Sequence, residues 1–372
     1  MPTSAPGARA EPPGGDPQRK PGPPRENARE SVRAVITMRD IAEASGVSQS
    51  TVSRVLNNAP TRVPIAAETR ERVIETARHL GYRPNPLARG LRGASTNLIG
   101  AVVRDFSDVF YAGVIEALVV ESVAHGYNVV LGHVHGQLDA ASPLTTVLET
   151  RHTDAIILLG DMQGYPELLA DLRRSPVPVV GLWQGASPLE FPTANPDDRA
   201  GVRAGLEHLA ALGHRRIGFL SAELPNEYRI REEAYVDFMR ERFGGVPPNY
   251  LRRCPGSLDG GESALAELMS LPEPPTAVAA STDLVGVGAL HAAHTLGVAV
   301  PAQLSVVGFD DILIAAHTVP ALTTLRMPIA EIVGFGVSQA VSLARDPSSR
   351  PEPGVTVFQL PLIVRDSTAP PA

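Results

Sequence analysis

The chain has 372 residues, of which 43% are apolar and 20% charged, with a formal net charge of -7 and a single cysteine, Cys254. At roughly 100 to 200 residues per domain, that length implies two or three domains, each able to bury a core. One thiol excludes a disulfide framework and a four-thiolate zinc site; no run approaches the roughly 18 apolar residues of a membrane-spanning helix, and without an apolar leader a cytoplasmic protein is expected.

Charge is segregated along the chain: residues 1–35 carry +2, residues 36–93 carry +4 and residues 94–372 carry -13. A basic block near the start of an acidic chain suggests one module that meets a polyanion and a body that does not. Residues 1–35 alternate Pro and Gly with isolated charges and lack apolar periodicity, which predicts a disordered extension.

From Thr37 the pattern turns helical. Thr37 and Asp40 form a T-x-x-D capping box, Met38, Ile41 and Ala42 follow at helical spacing, and Gly46 ends the run. Ser48 is placed to cap a second helix whose apolar face is Val52, Val55 and Leu56. A third helix is predicted over 68–80 through Val73, Ile74 and Ala77, stopped by Gly81 and Pro84. Two short helices joined by a glycine turn read as a helix-turn-helix, an all-α headpiece. On the second helix Gln49, Ser50, Ser53, Arg54 and Asn57 project together, opposite the apolar face and with no acid among them. Glutamine pairs with adenine and arginine with guanine in the major groove, while hydroxyls and asparagine suit phosphates as well. A surface helix of a three-helix bundle with a merely solvated polar face is the other reading of that pattern.

The run TMRDIAEASGVSQSTVSRVLN (37–57), followed by TRERVIETARHLGYRPNPLARGLR (69–92), resembles the DNA-binding headpiece of the LacI/GalR family of bacterial transcriptional regulators. The resemblance implies that Gln49, Ser50 and Arg54 read bases of double-stranded DNA, and that Thr37, Ser48, Thr51, Ser53 and Asn57 hold phosphates. It implies further that residues 85–94 form a hinge helix, which folds against its twin in a homodimer and inserts Leu91 between base pairs of the minor groove. Alone in water so short a segment is not stably helical, and an ordinary linker is the alternative. The expected domains are a disordered extension (1–35), a headpiece (36–84), the hinge (85–94) and an effector-binding and dimerisation core (95–372).

Beyond residue 97, apolar stretches at 98–103, 129–131, 155–159, 177–182, 217–220, 277–280 and 304–309 alternate with helical stretches at 112–125, 200–212, 231–243, 262–271 and 284–296. That is the rhythm of doubly wound parallel sheets. The family's pattern implies an α/β core of two lobes, periplasmic-binding-protein-like, with the chain crossing between lobes near Leu212, near Thr323 and again before a last strand at 355–360. Ligands bind such sheets at the carboxyl ends of strands, which nominates Asp105, Phe110 with Tyr111, Trp183, Asp197, Arg231, Asp283 and Asp310 as effector contacts. Carboxylates, a guanidinium and aromatic rings suit a sugar or other polyol.

By resemblance DFSDVFYAG (105–113), RIREEAY (229–235), STDLVGVGAL (281–290) and SVVGFDD (305–311) match the family's effector segments, with Arg231 and Asp310 as contacts. Asp108 and Val109 replace a usual Asn-Pro, Ala234 a usual glycine and Thr282 a common asparagine. Capping of the following helix is an equal reading for Asp283 and Asp311, as core packing is for Trp183. His133 and His135 alternate on a strand with no evident third ligand, so neither a metal nor a cofactor is expected. The Gly-x-Gly from Gly286 to Gly288 lies inside a predicted helix with no third glycine after it, which argues against a nucleotide-dependent enzyme. The expectation is a homodimeric, effector-responsive repressor on a pseudopalindromic operator. A corepressor-dependent regulator that responds to a non-sugar metabolite, and a stand-alone cytoplasmic solute-binding protein, are the alternatives.

Overall fold

The computed structural model describes residues 36–56, 64–82, 95–134, 153–185, 189–223, 226–346 and 353–372. The extension (1–35), Asn57, the hinge segment with Leu91, and His135 lie outside the described residues. Internal contacts divide the chain into two units, Met1–Pro84 and Asn85–Ala372.

In the first unit the helices are α1 (Met38–Ser45), α2 (Gln49–Leu56) and α3 (Ala67–His79). The capping box closes: the Thr37 N–H donates to Asp40 Oδ2 at 2.7 Å, and the Asp40 N–H donates to Thr37 Oγ1 at 3.4 Å. Gly46 ends α1 at φ 67, a left-handed conformation in which a Cβ is strained. Arg72 of α3 donates through Nε to the Ser45 carbonyl at 3.1 Å, satisfying a helix-end acceptor from across the bundle. Ile41, Ala42, Val52, Val55, Val73 and Ala77 form the core. Ile74, expected on the inner face, is instead 38% exposed: Val73 and Ala77 lie one turn apart and fill that face, which leaves Ile74 at its edge. Helix α3 starts without a side-chain cap, so no residue signals its beginning.

The second unit holds two six-stranded sheets. The strands are β1 (Leu98–Val103), β2 (Asn128–His133), β3 (Ala155–Leu159), β4 (Val179–Leu182), β5 (Thr193–Pro196), β6 (Ile217–Ala222), β7 (Leu251–Cys254), β8 (Ala277–Ala280), β9 (Ser305–Asp310), β10 (Thr323–Arg326), β11 (Val355–Phe358) and β12 (Leu362–Ile363). One sheet runs β11-β5-β4-β3-β1-β2 and the other β12-β10-β9-β8-β6-β7. All pairs are parallel except β10 with β12. The central strands β3 and β4 are buried throughout, as strands covered on both faces must be. Helices α4 (Phe110–Ala124), α5 (Pro166–Arg174) and α10 (Ile329–Arg345) belong to the first lobe, and α6 (Asp198–Ala211), α7 (Asn226–Phe243), α8 (Leu258–Met269) and α9 (Asp283–Thr295) to the second.

The chain crosses between lobes three times: after β5, after β10 and between β11 and β12. The first crossing was expected near Leu212 and falls earlier, between Pro196 and Asp198; the third was expected before the strand at 355–360. It falls after that strand instead, which ends at Phe358 and leaves the pair Leu362–Ile363 to dock antiparallel on β10. A two-residue strand has no periodicity to read. The Gly-x-Gly from Gly286 to Gly288 lies within α9, and its role is packing. A Cβ on Gly288 would meet the Leu258 carbonyl oxygen at 2.0 Å, so the glycine lets α8 and α9 touch backbone to backbone.

Candidate functional site

On the first unit the exposed face of α2 presents Gln49, Ser50 and Arg54, while Thr51 and Ser53 are half-buried and Val52 and Val55 face the core. The segregation follows from helical geometry, since positions three and four apart share a side. Ser48 serves the backbone: its Oγ accepts the Thr51 N–H at 3.2 Å and lies 2.8 Å from Ser50 Oγ and 2.9 Å from Thr51 Oγ1. Thr37 is exposed at the start of α1. No acid interrupts the surface formed by Gln49, Ser50 and Arg54 within α2, which leaves an amide, a guanidinium and a group of hydroxyls on one side.

The second unit has its own site between the lobes. Arg231, on α7, is 3% exposed. Its Nε donates to Asp198 Oδ1 at 2.8 Å, and its Nη1 to the Ser281 carbonyl at 2.5 Å and to Asp310 Oδ1 at 3.4 Å. The guanidinium lies over the Phe309 ring at 3.7 Å and beside Tyr228 at 5.5 Å. Burial acts against its charge, but Asp198 and Asp310 more than offset this and hold the guanidinium above the ordinary arginine value. Burial also raises the Asp198 carboxyl, with Arg231 opposing it. Asp310 is pushed well above the usual carboxylate range by burial, against Arg231 and with Asp283, Asp108 and Asp198 adding to it. Asp310 and Asp311 both adopt positive φ, at 118 and 57. The turn is held because Asp311 accepts from Arg326 Nε at 2.6 Å and from Arg365 Nη2 at 2.5 Å.

From the first lobe come Asp108, Phe110 and Trp183. Phe110 meets Trp183 edge-on at 5.6 Å, and Trp183 Nε1 donates to Met327 Sδ at 3.3 Å. The Asp108 carboxylate accepts the Phe110 N–H at 3.0 Å and lies 3.8 Å from Arg104 Nη2. Burial raises Asp108, with the Phe110 N–H and Arg104 acting against the rise. The chamber these groups enclose has a volume of about 20 Å³, room for roughly one water. Beside it a wider mouth of about 510 Å³ is lined by Arg104, Asp105, Asp108, Glu223, Tyr228 and Asp259.

Of the residues nominated from sequence, the chamber brings together Phe110, Tyr111, Trp183, Arg231 and Asp310. Asp105 lies at the mouth, where its Oδ1 accepts the Ser107 N–H at 2.8 Å. Asp197 and Asp283 line neither space. Asp197 caps α6 by accepting the Ala200 N–H at 3.0 Å, and its Oδ2 accepts from Gln359 Nε2 at 3.1 Å. Asp283, fully buried, accepts from Thr324 Oγ1 at 2.6 Å and from the Ile312 N–H at 2.9 Å, and burial pushes it up to about 7. It ties the Asp310 turn from behind, while Thr282 caps α9.

The chamber residues with functional side chains that sequence did not nominate include Arg104, Asp108, Asn195, Asp198, Tyr228 and Met327. Two of these carried a signal. Asp198 follows Asp197 at a helix start, where one acid caps and the next is free for other work, and Tyr228 precedes Arg231 by three residues on one helix face. Among the described residues no group of three or more His, Cys, Asp or Glu is placed to hold a metal ion, and no helix is long and apolar enough to cross a membrane.

A sequence model described as bacterial regulatory proteins, lacI family, matches residues 37–85, and one described as a periplasmic binding protein-like domain matches residues 206–368. The HTH-type transcriptional repressor CytR of Escherichia coli (strain K12) is 34% identical over 299 residues, 80% of this chain and 86% of that protein. The lac repressor dimer, solved bound to operator and the anti-inducer ONPF, is similar with a TM-score of 0.79 at 26% identity, over 90% of this chain and 99% of that one. The complex of the transcriptional regulator CelR with cellobiose is similar with a TM-score of 0.65 at 26% identity, over 89% of this chain and 99% of the other.

Proposed function

Because the chain belongs to the lacI family of bacterial regulatory proteins, we propose that it is a sequence-specific DNA-binding repressor, with no catalytic role, whose operator affinity is set by a small carbohydrate-type effector held between the lobes of residues 95–372. It works in the cytoplasm, where its operator is. One observation carries the effector reading: the buried Arg231, shared by Asp198 and Asp310, faces Phe110 and Trp183 across the cleft. Charged groups accept from and donate to vicinal hydroxyls, and the rings cover the C–H face of a sugar. Phe110, Trp183, Asp198, Arg231 and Asp310 are the inner contacts, with Asp105 at the mouth.

On the DNA side, Gln49, Ser50 and Arg54 read bases while Thr37, Ser48, Thr51, Ser53 and Asn57 hold phosphates. Leu91, on the hinge 85–94, enters the minor groove. The working molecule is a homodimer, for which Val119, Val120 and Val123 of α4, at 40%, 64% and 57% exposure, with Val130 and Leu131 of β2, supply an apolar face. Effector binding favours one lobe arrangement, and DNA affinity changes by the ratio of effector affinities in the two.

Selection of bound sequences from a random DNA pool at about 150 mM salt, where nonspecific contacts are weakened, tests this. An inverted repeat whose binding is released by a sugar is the expected result. An inverted repeat that forms only when cell metabolites are added indicates a corepressor instead. Absence of any motif under both conditions refutes the regulator reading.

A further inference from the structure

Asp108 and Asp310 line the same two small cavities from opposite lobes. Asp108 sits on the loop between β1 and α4, while Asp310 ends β9. We propose that closing the lobes takes up one proton, on Asp108 or Asp310, so that acidity favours the closed cleft and an effector that binds it arrives with a proton. The inference rests on the effector-cleft reading and adds its regulation.

Acids outnumber arginines around the pair, so a proton is favoured there. From α7 comes Arg231, from the start of α6 Asp198, and from the start of α9 Asp283; on the loop of Asp108 are Arg104 and Asp105, with His133 of β2 beside Asp105. Arg231 is committed to Asp198 at 2.8 Å and the Ser281 carbonyl at 2.5 Å, which leaves Asp310 the long third contact at 3.4 Å. Arg104 stands 3.8 Å from Asp108. Asp311 is fully engaged by Arg326 and Arg365. When the lobes are apart, water solvates Asp108 and Asp310 separately and both ionise. On closure they enter a space with room for little water, and two carboxylates sharing such a site do not both stay charged. Burial raises both carboxyls in the closed form, in agreement with the geometry. The proton comes from solvent, returns to it on opening, and gives the closed cleft a hydrogen-bond donor in place of a second anion.

The closed population is then expected to fall about tenfold per pH unit between the open-state and closed-state values of the pair. The chain has one tryptophan, and Trp183 lies in this cleft at 5% exposure. Acrylamide quenching of its emission in the full-length, effector-free protein, from about pH 5 to about pH 8.5, reads access to the cleft. The quenching constant is expected to rise with pH in the wild type and to stay low and flat in Asp108→Asn. Asp310→Asn is a second near-isosteric variant with the same expected profile, and it serves if circular dichroism shows Asp108→Asn misfolded. A flat wild-type profile, or variants that follow the wild type, overturns proton coupling. Neither result touches the sugar reading, which stands or falls on release of operator by a sugar.

Discussion

Replacing Arg231 by methionine keeps the stem of the side chain and removes its charge. Asp198, 6% exposed and held at 2.8 Å from Nε, is then left buried without a cation, and the Ser281 carbonyl loses a donor at 2.5 Å. Removing one partner of a buried pair costs about 3 to 5 kcal/mol, because the remaining charge is neither solvated nor paired. Against a typical domain stability of about 5 to 15 kcal/mol, that is a large share. In the variant the folded-state value of Asp198 moves further above its unfolded value, since Arg231 was the influence lowering it. A carboxyl of that kind is protonated preferentially in the folded state. The deficit is therefore smallest near pH 4 and grows as pH rises through the folded-state value. Urea unfolding followed by Trp183 emission, at about pH 4.5 and about pH 8, measures it within the larger unit. Adding Asp198→Asn to Arg231→Met should recover more than half of the loss at the higher pH, because a neutral amide carries no orphaned charge. A deficit under about 1 kcal/mol, or one equal at both pH values, refutes the buried pair as the organising contact.

Arg54→Ala is expected to lose about 1 to 3 kcal/mol of discrimination at one operator position while keeping weak, salt-sensitive binding, as fluorescence anisotropy on matched and mismatched duplexes will show. Thr37→Ala opens the capping box and should cost the first unit about 1 kcal/mol, read as a lower midpoint for loss of operator binding on heating. Asp283→Asn keeps an acceptor for the Ile312 N–H and offers Thr324 a donor. Wild-type Asp283 stays protonated up to about 7 when folded against 3.8 in its ordinary state, so its stability contribution is present below pH 4 and lost as pH rises towards 7. The variant should therefore match wild type near pH 4 and exceed it above pH 7 by up to about 4 kcal/mol in urea unfolding.

Local rules carried the first unit almost whole. Thr37, Asp40 and Gly46 encode a helix and its two ends within ten residues, and the polar face of α2 follows from a fixed 3.6-residue repeat, so no distant contact is needed to place Gln49, Ser50 and Arg54 together. Ile74 is where this failed, since its position at the rim depends on the angle at which α3 meets α1 and α2. In the larger unit the sequence determined which stretches are buried strands, for β1, β3 and β8 are uninterrupted apolar runs, and the segments RIREEAY and SVVGFDD nominated Arg231 and Asp310, which line one chamber. Only the tertiary structure decided between neighbours: Asp197 caps a helix while Asp198 meets Arg231, and Asp283 braces the turn that Asp310 presents. Adjacent carboxylates are chemically alike, and what separates them is which way a helix start or a left-handed turn aims each one, a direction fixed by packing of elements far apart in the chain. The meeting of Asp108 and Asp310 at one cavity is of the same kind, because residues 108 and 310 line it together only once the two lobes have folded.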